Sequence, residues 1–325
     1  MLPRLDSGRT PWQSDGKQFS FLQEQGPHEG MTDRHPELST PFQLAQPAQL
    51  RAPILFSSPH SGRIYPGAFL SATRLDAHSL RRSEDSFVDE LFAGVVDLGA
   101  PLLSALFPRA YLDVNREPYE LDPRMFVGRL PPHANTRSVR VAGGLGTIAR
   151  IVADAQEIYP GPIPVADALD RIETLYRPYH RALMDTLSAL HRRFGTAILI
   201  DCHSMPSSAA AEEDQLRPDF VLGDRYGTSC APAIMDIAHQ ALEQMGYMVK
   251  RNRPYAGGYI TERYGNPVRG LHALQIEINR GLYLDEQQIA KTQNFNQVKT
   301  NMTQLARVLI EAILPRDAPV RHAAE

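Results

Sequence analysis

Short, uninterrupted apolar runs alternate with apolar residues at helical spacing along most of this chain, and that alternation constrains its fold more than any other feature. PILFSS (53–58), PLLSAL (101–106), YLDV (111–114), TAILIDC (196–202), DFVLG (219–223), YMVKR (247–251) and HALQIEIN (272–279) read as strands. Between them, Phe87, Val88, Leu91, Phe92, Val95 and Val96 recur at helical spacing ahead of Gly99. Leu169, Ile172, Leu175, Tyr176, Tyr179, Leu183, Leu187 and Leu190 do the same ahead of Gly195, with Pro178 expected to kink or restart that helix. APAIMDIAHQALEQMG (231–246) reads as a helix closing at Gly246, and residues 285–314 as one long final helix. Strands alternating with helices predict an α/β/α layered domain with a largely parallel sheet.

Composition narrows the function class. Hydrophobic residues at 42% of the 325 positions supply a sizeable core and exclude global disorder. Lys+Arg 34 against Asp+Glu 37 leaves a net charge of −3, unlike the basic stripe of a nucleic-acid binder. No apolar run approaches the roughly 20 residues of a membrane helix, so neither nucleic acid nor membrane is an expected partner. Cys202 and Cys230 alone make neither a disulfide scaffold nor a cysteine-rich zinc site, which points to a soluble cytoplasmic protein. Residues 1–45 read as a flexible N-terminal tail without the apolar stretch of a secretory signal, and Met31 offers an alternative start. Residues 46–315 then form a single catalytic α/β domain and 316–325 a frayed end. Residues 121–164, rich in Pro, Gly and Arg, are expected as loops and as a lid over the site.

In open α/β sheets, ligands sit beyond the carboxyl ends of the strands. PHSG places His60 there, DCHSMP places His203 there, and QIEINRGLY puts Glu277 inside a strand. Two imidazoles and one acid suffice for a catalytic zinc site with an open fourth position, although each His also suits a backbone hydrogen bond at a strand end. The acid falls in the SED segment, where Asp85 is preferred to Glu84, with Asp89 one turn on; all three equally suit a helix N-terminus. Arg109, Asn115 and Arg116 in FPRAYLDVNREP suit a carboxylate-bearing substrate, or ion pairs with Asp113, Glu117 and Glu120. Glu277 is a candidate general base, or a partner for Arg280. NRPYAGGYITERYG, with Tyr255, Gly257, Gly258, Tyr259 and Arg263, reads as a loop able to close on a ligand, or as an ordinary turn. The GxGxxG, GKS/T and GxSxG patterns are missing, against nucleotide binding and serine hydrolysis.

Taken in order, PHSG, SEDSFVDEL, YLDVNREP, GTIAR, YRPYH, ILIDCHSMP, GDRYG, GGYIT and QIEINRGLY resemble the N-formylglutamate amidohydrolase family over about Pro53 to Asp285. The resemblance implies a three-layer α/β/α domain around a mixed, mostly parallel sheet, similar to zinc carboxypeptidases and aspartoacylase. It implies hydrolysis of N-formyl-L-glutamate to formate and L-glutamate, the last step of one histidine-degradation route. It also implies one zinc ion per chain. His60 and His203 match the zinc histidines. Arg63 stands where carboxypeptidases carry the acidic ligand, and Asp85 aligns best as its substitute. Asn115 and Arg116 resemble the pair that grips the α-carboxylate, Arg109 the arginine that polarises the scissile carbonyl, and Glu277 the general base. A further arginine, Arg150, Arg263 or Arg280, is expected on the γ-carboxylate. The remaining readings are a deacylase of another N-acylamino acid or of a peptide fragment, and a dicarboxylate-binding domain without turnover.

Overall fold

The computed structural model describes residues 36–208 and 217–313. Among them, seven strands form one sheet: β1 (Phe42–Ala45), β2 (Ile54–Ser58), β3 (Leu102–Ala105), β4 (Ala197–Met205), β5 (Phe220–Gly223), β6 (Val249–Arg251) and β7 (Leu271–Asn279). Their spatial order is β1-β3-β2-β4-β7-β5-β6, parallel except where β1 meets β3 and β5 meets β7. The sheet is therefore mixed and mostly parallel. The expected tail boundary moves: residues 42–45 pair with Leu102–Ala105 and close one edge of the sheet. Residues 1–35 and 314–325, with most of the expected tails and Met31, lie outside the described residues.

Side-chain alternation divides the sheet into two cores. Leu55, Leu199, Leu271 and Ala273 pack with Ile172, Leu175, Tyr179, Leu183 and Leu187. The opposite face, with Ile54, Phe56, Ile198, Ile200, Leu274, Ile276 and Ile278, packs with Val88, Leu91, Ile234, Ala238, Met302 and Leu309. The covering helices are α1 (Val88–Leu91), α2 (Val165–Arg171), α3 (Arg177–Phe194), α4 (Pro232–Gln244) and α6 (Phe295–Ile313), with α5 (Tyr259–Tyr264) just ahead of β7. Gly195, at φ 78°, ends α3 in the left-handed region.

Three expected elements differ. The helix expected from Phe87 becomes α1 and a single 3₁₀ turn: Phe87 is left-handed at φ 65° and stays outside α1, and Phe92, at φ −95° and ψ 2°, separates the two. YLDV forms no strand; Asp113 and Asn115 turn toward the sheet end and make side-chain hydrogen bonds there. The final helix starts at Phe295, since Leu284–Asp285 and Ala290–Lys291 pair as a small ribbon. Between α2 and α3 lies one π-turn, Ile172–Tyr176, just before Pro178, where the sequence predicts a kink.

Candidate metal centre and substrate site

β4 and β7 run parallel with His203 opposite Glu277 and Asp201 opposite Gln275. These four share the face that carries Leu199 and Ala273 deeper in the sheet, so polar groups replace apolar ones only at the carboxyl ends of the strands. His60 sits in the turn after β2, where Gly62 lets that turn pack on the chain leaving β3; a Cβ there would lie 2.1 Å from the Phe107 carbonyl oxygen. The Asp85 amide donates to the His60 carbonyl at 3.0 Å, which fastens the SED segment to that turn.

His60, Asp85 and His203 thereby converge, with ligand atoms within 4.8 Å of one another and all three residues buried. Asp85 Oδ2 lies 2.9 Å from His203 Nδ1 and 3.4 Å from His60 Nδ1. Tetrahedral ligands about 2.0–2.1 Å from a zinc ion stand about 3.3 Å apart, so the spacing suits such an ion. His60 Nδ1 is buried and makes no hydrogen bond. The far ring nitrogens face carboxylates: His60 Nε2 meets Asp113 Oδ1 at 2.8 Å, and His203 Nε2 meets Asp201 Oδ2 at 3.0 Å. This arrangement points both Nδ1 atoms inward, and a carboxylate behind each ring would raise its basicity toward an ion. Asp201 is fully buried.

The charges favour a cation. Burial alone would push His203 down, yet Asp201, Asp85 and Glu277 hold it well above the usual imidazole range. Burial likewise opposes ionisation of Asp85, but the hydrogen bond with His203 and the nearness of both imidazoles hold it well below the carboxylate range. A divalent ion between them would take the place of the protons that these carboxylates otherwise attract. The residues therefore fit a metal.

Asp85 is further fixed by Arg280 Nη2 at 3.0 Å, while Arg280 Nε donates to Ser204 Oγ at 3.0 Å and Nη1 to the Arg82 carbonyl. Arg280 thus braces Asp85, and its hydrogen bonds go to Asp85, Ser204 and the Arg82 carbonyl. Glu84 instead accepts from Tyr65 and Arg81, and Asp89 pairs with Arg63, so neither joins the two histidines. Arg150 is held by Asp122 and Glu157. Arg263 lies on α5, in the electrostatic reach of Tyr176, Tyr259 and Tyr264.

Glu277 accepts from Gln275 Nε2 at 2.8 Å, and the Gly258 amide donates to Gln275 Oε1 at 2.8 Å. Burial pushes Glu277 up to about 7, against the pull of His203, Arg109 and Arg280. Asp113 ties the arginines to the histidine: Arg109 Nε donates to Oδ2 at 3.0 Å, Arg116 Nη2 stands 3.4 Å from the same oxygen, and the Asn115 amide donates to Oδ1. Arg116 also donates to the carbonyls of Leu145 and Asn115, which leaves two of its five N–H groups for a ligand. Burial pushes Arg116 down to about 10, so it stays cationic at neutral pH. Asn115 turns inward, its Oδ1 accepting from the Ile260 amide and its Nδ2 3.2 Å from His203 Nε2. Gly258 is needed at this contact, because a Cβ would lie 2.4 Å from the Asn115 amide. Tyr255 is half-buried, and burial and Glu277 raise its phenol above the ordinary value.

Sequence reasoning passes over Asp113 and Asp201 as second carboxylates. Their signals are small: an acid two residues before His203 on one strand, and an acid two residues before the Asn-Arg pair. Asp201→Asn is expected to weaken metal binding about 10–100-fold, the usual worth of such a partner, as read by competition with a chelator. Unchanged affinity would remove Asp201 from that role.

A model of the family described as N-formylglutamate amidohydrolase matches residues 52–284. The chain is 31% identical to the N-formylglutamate deformylase of Pseudomonas putida over 241 residues, covering 73% of this chain and 84% of that one. It is 30% identical to the enzyme of the same name from Pseudomonas aeruginosa over 242 residues, with the same 73% and 84% coverage. The crystal structure of N-formylglutamate amidohydrolase from Ralstonia eutropha JMP134 superposes with a TM-score of 0.80 at 36% identity, covering 84% of this chain and 98% of that one.

Proposed function

The chain belongs to the N-formylglutamate amidohydrolase family, and from that premise we propose that it cleaves the formamide bond of N-formyl-L-glutamate to formate and L-glutamate, using a divalent ion, zinc, held by His60, Asp85 and His203. The observation that carries this reading is the place of Glu277, directly across from His203 on the neighbouring strand, beside the three converging ligand atoms. A domain that only bound dicarboxylates would gain nothing from a carboxylate there.

When bound, the ion supplies Lewis acidity toward the formyl oxygen and lowers the pKa of water at the site. Glu277 takes the proton of the attacking water and delivers it to the nitrogen as the C–N bond breaks, so the amine leaves neutral. Arg109 is fixed through Nε by Asp113, and the two nitrogens at its tip face the negative charge that develops on the formyl oxygen. Arg116 takes the α-carboxylate with its two remaining N–H groups, and Asn115 holds α5 against that wall of the pocket. No helix among the described residues is long and apolar enough to cross a membrane. With Cys202 and Cys230 as buried free thiols, we place the chain in the cytoplasm, on the histidine-degradation route that releases these products.

A panel of formyl, acetyl and succinyl derivatives of glutamate and of neutral amino acids, assayed for free amine, tests the reading. Release from N-formyl-L-glutamate at the highest kcat/KM is the expected result. Preference for another acyl group, or no release at all, would overturn it.

A further inference from the structure

The segment 111–119 carries Asp113, Asn115 and Arg116 into the site without belonging to a strand or helix, so the carbonyls of Val114, Asn115 and Arg116 are not part of a ladder. Three consecutive ones are nonetheless capped by side chains. Val114 O faces His180 Nε2 at 2.8 Å, Asn115 O accepts from Arg116 Nη1 at 2.7 Å, and Arg116 O accepts from the Tyr176 hydroxyl at 2.7 Å. Tyr176 and His180 begin and end the YRPYH string, which the proposed chemistry leaves unused.

Their placement follows from the local helix. Tyr176 closes the π-turn and His180 lies four residues on in α3, so both rings leave the same helix face, stacked at 4.2 Å between centroids. π-turns interrupt helices at functional sites more often than elsewhere. A carbonyl only accepts, so the proton of His180 resides on Nε2, and Nδ1 faces the Tyr264 hydroxyl at 2.9 Å, whose proton also reaches the His180 carbonyl at 3.1 Å. Burial pushes His180 down to about 4 and keeps this ring neutral. Tyr264 lies on α5, whose Ile260 amide is held by Asn115, so both side chains of the clamp belong to one network around the Asn-Arg pair.

We propose that Tyr176 and His180 are positioning residues that buckle the Val114–Arg116 backbone and set the approach of the Arg116 guanidinium to the substrate α-carboxylate. This rests on the reading of Arg116 as the α-carboxylate ligand. The buckle acts on substrate binding and leaves bond cleavage to Glu277 and the metal centre. Its loss therefore raises KM and spares kcat.

The test is steady-state kinetics of the full chain carrying Tyr176→Phe, which removes one hydroxyl and keeps the ring. The variant loses the bond to the Arg116 carbonyl and the one shared with Tyr259; about 1 kcal/mol for the former corresponds to a KM rise of about 5-fold for N-formyl-L-glutamate, with kcat within about twofold and metal content unchanged. His180→Leu should raise KM at least as far, and His180→Gln, which keeps a donor for Val114, should recover part of it. A lower kcat with unchanged KM in Tyr176→Phe and His180→Gln would mean a merely structural role and overturn the proposal. Arg116→Met separates the two readings. If it raises KM while Tyr176→Phe does not, the buckle alone fails; if Arg116→Met leaves KM unchanged, the reading of Arg116 fails first.

Discussion

Replacing Glu277 with glutamine should lower kcat by about 10²–10⁴-fold while the protein keeps its metal and its fold, because general acid–base catalysis is the one function that the amide cannot supply. Gln is nearly isosteric with Glu, and its carbonyl oxygen can still accept the hydrogen bond that Gln275 Nε2 now makes to Glu277 Oε1. The pH profile gives a second readout. Glu277 must be ionised to accept a proton, and burial raises it to about 7, so kcat/KM of the native protein should fall as pH drops through that region. A bound cation pulls a neighbouring carboxylate down, so metal loading should shift the midpoint of this acidic limb toward lower pH. In Glu277→Gln the limb should disappear along with most of the rate. Near-normal turnover in the variant, or an unchanged acidic limb, would assign the proton transfers to another group.

Asp85→Asn should have an effect of the same order. The amide still offers an oxygen to Arg280 Nη2 and a polar group to Ser204, so the buried guanidinium keeps a partner and the chain still folds. The side chain nonetheless loses its negative charge and becomes a poor ligand, leaving two imidazoles to hold a divalent ion. Lewis-acid stabilisation of the developing oxyanion is worth several kcal/mol, and each 1.36 kcal/mol is a factor of ten. A fall in kcat/KM of about 10³-fold or more follows, together with loss of metal during gel filtration. Excess zinc should restore part of the rate, which a general folding defect would not allow. Full metal content with full activity in this variant would show that the acid ligand lies elsewhere.

The two variants probe a site whose positions are unevenly legible. His60 and His203 stand out because polar residues interrupt apolar runs at strand ends, where burial is costly unless the group has a task. Glu277 stands out for the same reason, and β4 and β7 place it opposite His203. Asp85 is less distinct from Glu84, since both suit a helix start; the bond from the Asp85 amide to the His60 carbonyl and the partners of each side chain, Arg280 for Asp85 and Tyr65 with Arg81 for Glu84, determine which carboxylate faces the rings. Arg150, Arg263 and Arg280 show the limit of reading charge alone. Arg280 braces Asp85 and Arg150 binds Asp122 and Glu157, and no spacing rule foretells which acid an arginine meets.

The fold divides in the same way. Fully buried strands such as β2 and β4 are visible as continuous apolar runs, and α3 shows its stripe up to Gly195. YLDV misleads because Leu112 and Val114 are buried as strand residues would be, while Asp113 and Asn115 are drawn into the site and prevent a ladder. The final helix is overextended because residues 285–294 have helix-compatible composition, although Leu284–Asp285 and Ala290–Lys291 pair with each other. The left-handed Phe87 has no local signature, as glycine is the residue that usually marks that conformation.

Anomalous diffraction at the zinc edge from crystals of the zinc-loaded protein tests the central claim most directly. The account predicts one peak at near-full occupancy flanked by His60 Nδ1, Asp85 Oδ2 and His203 Nδ1. A peak elsewhere, or no peak in crystals whose protein still releases formate, would contradict it.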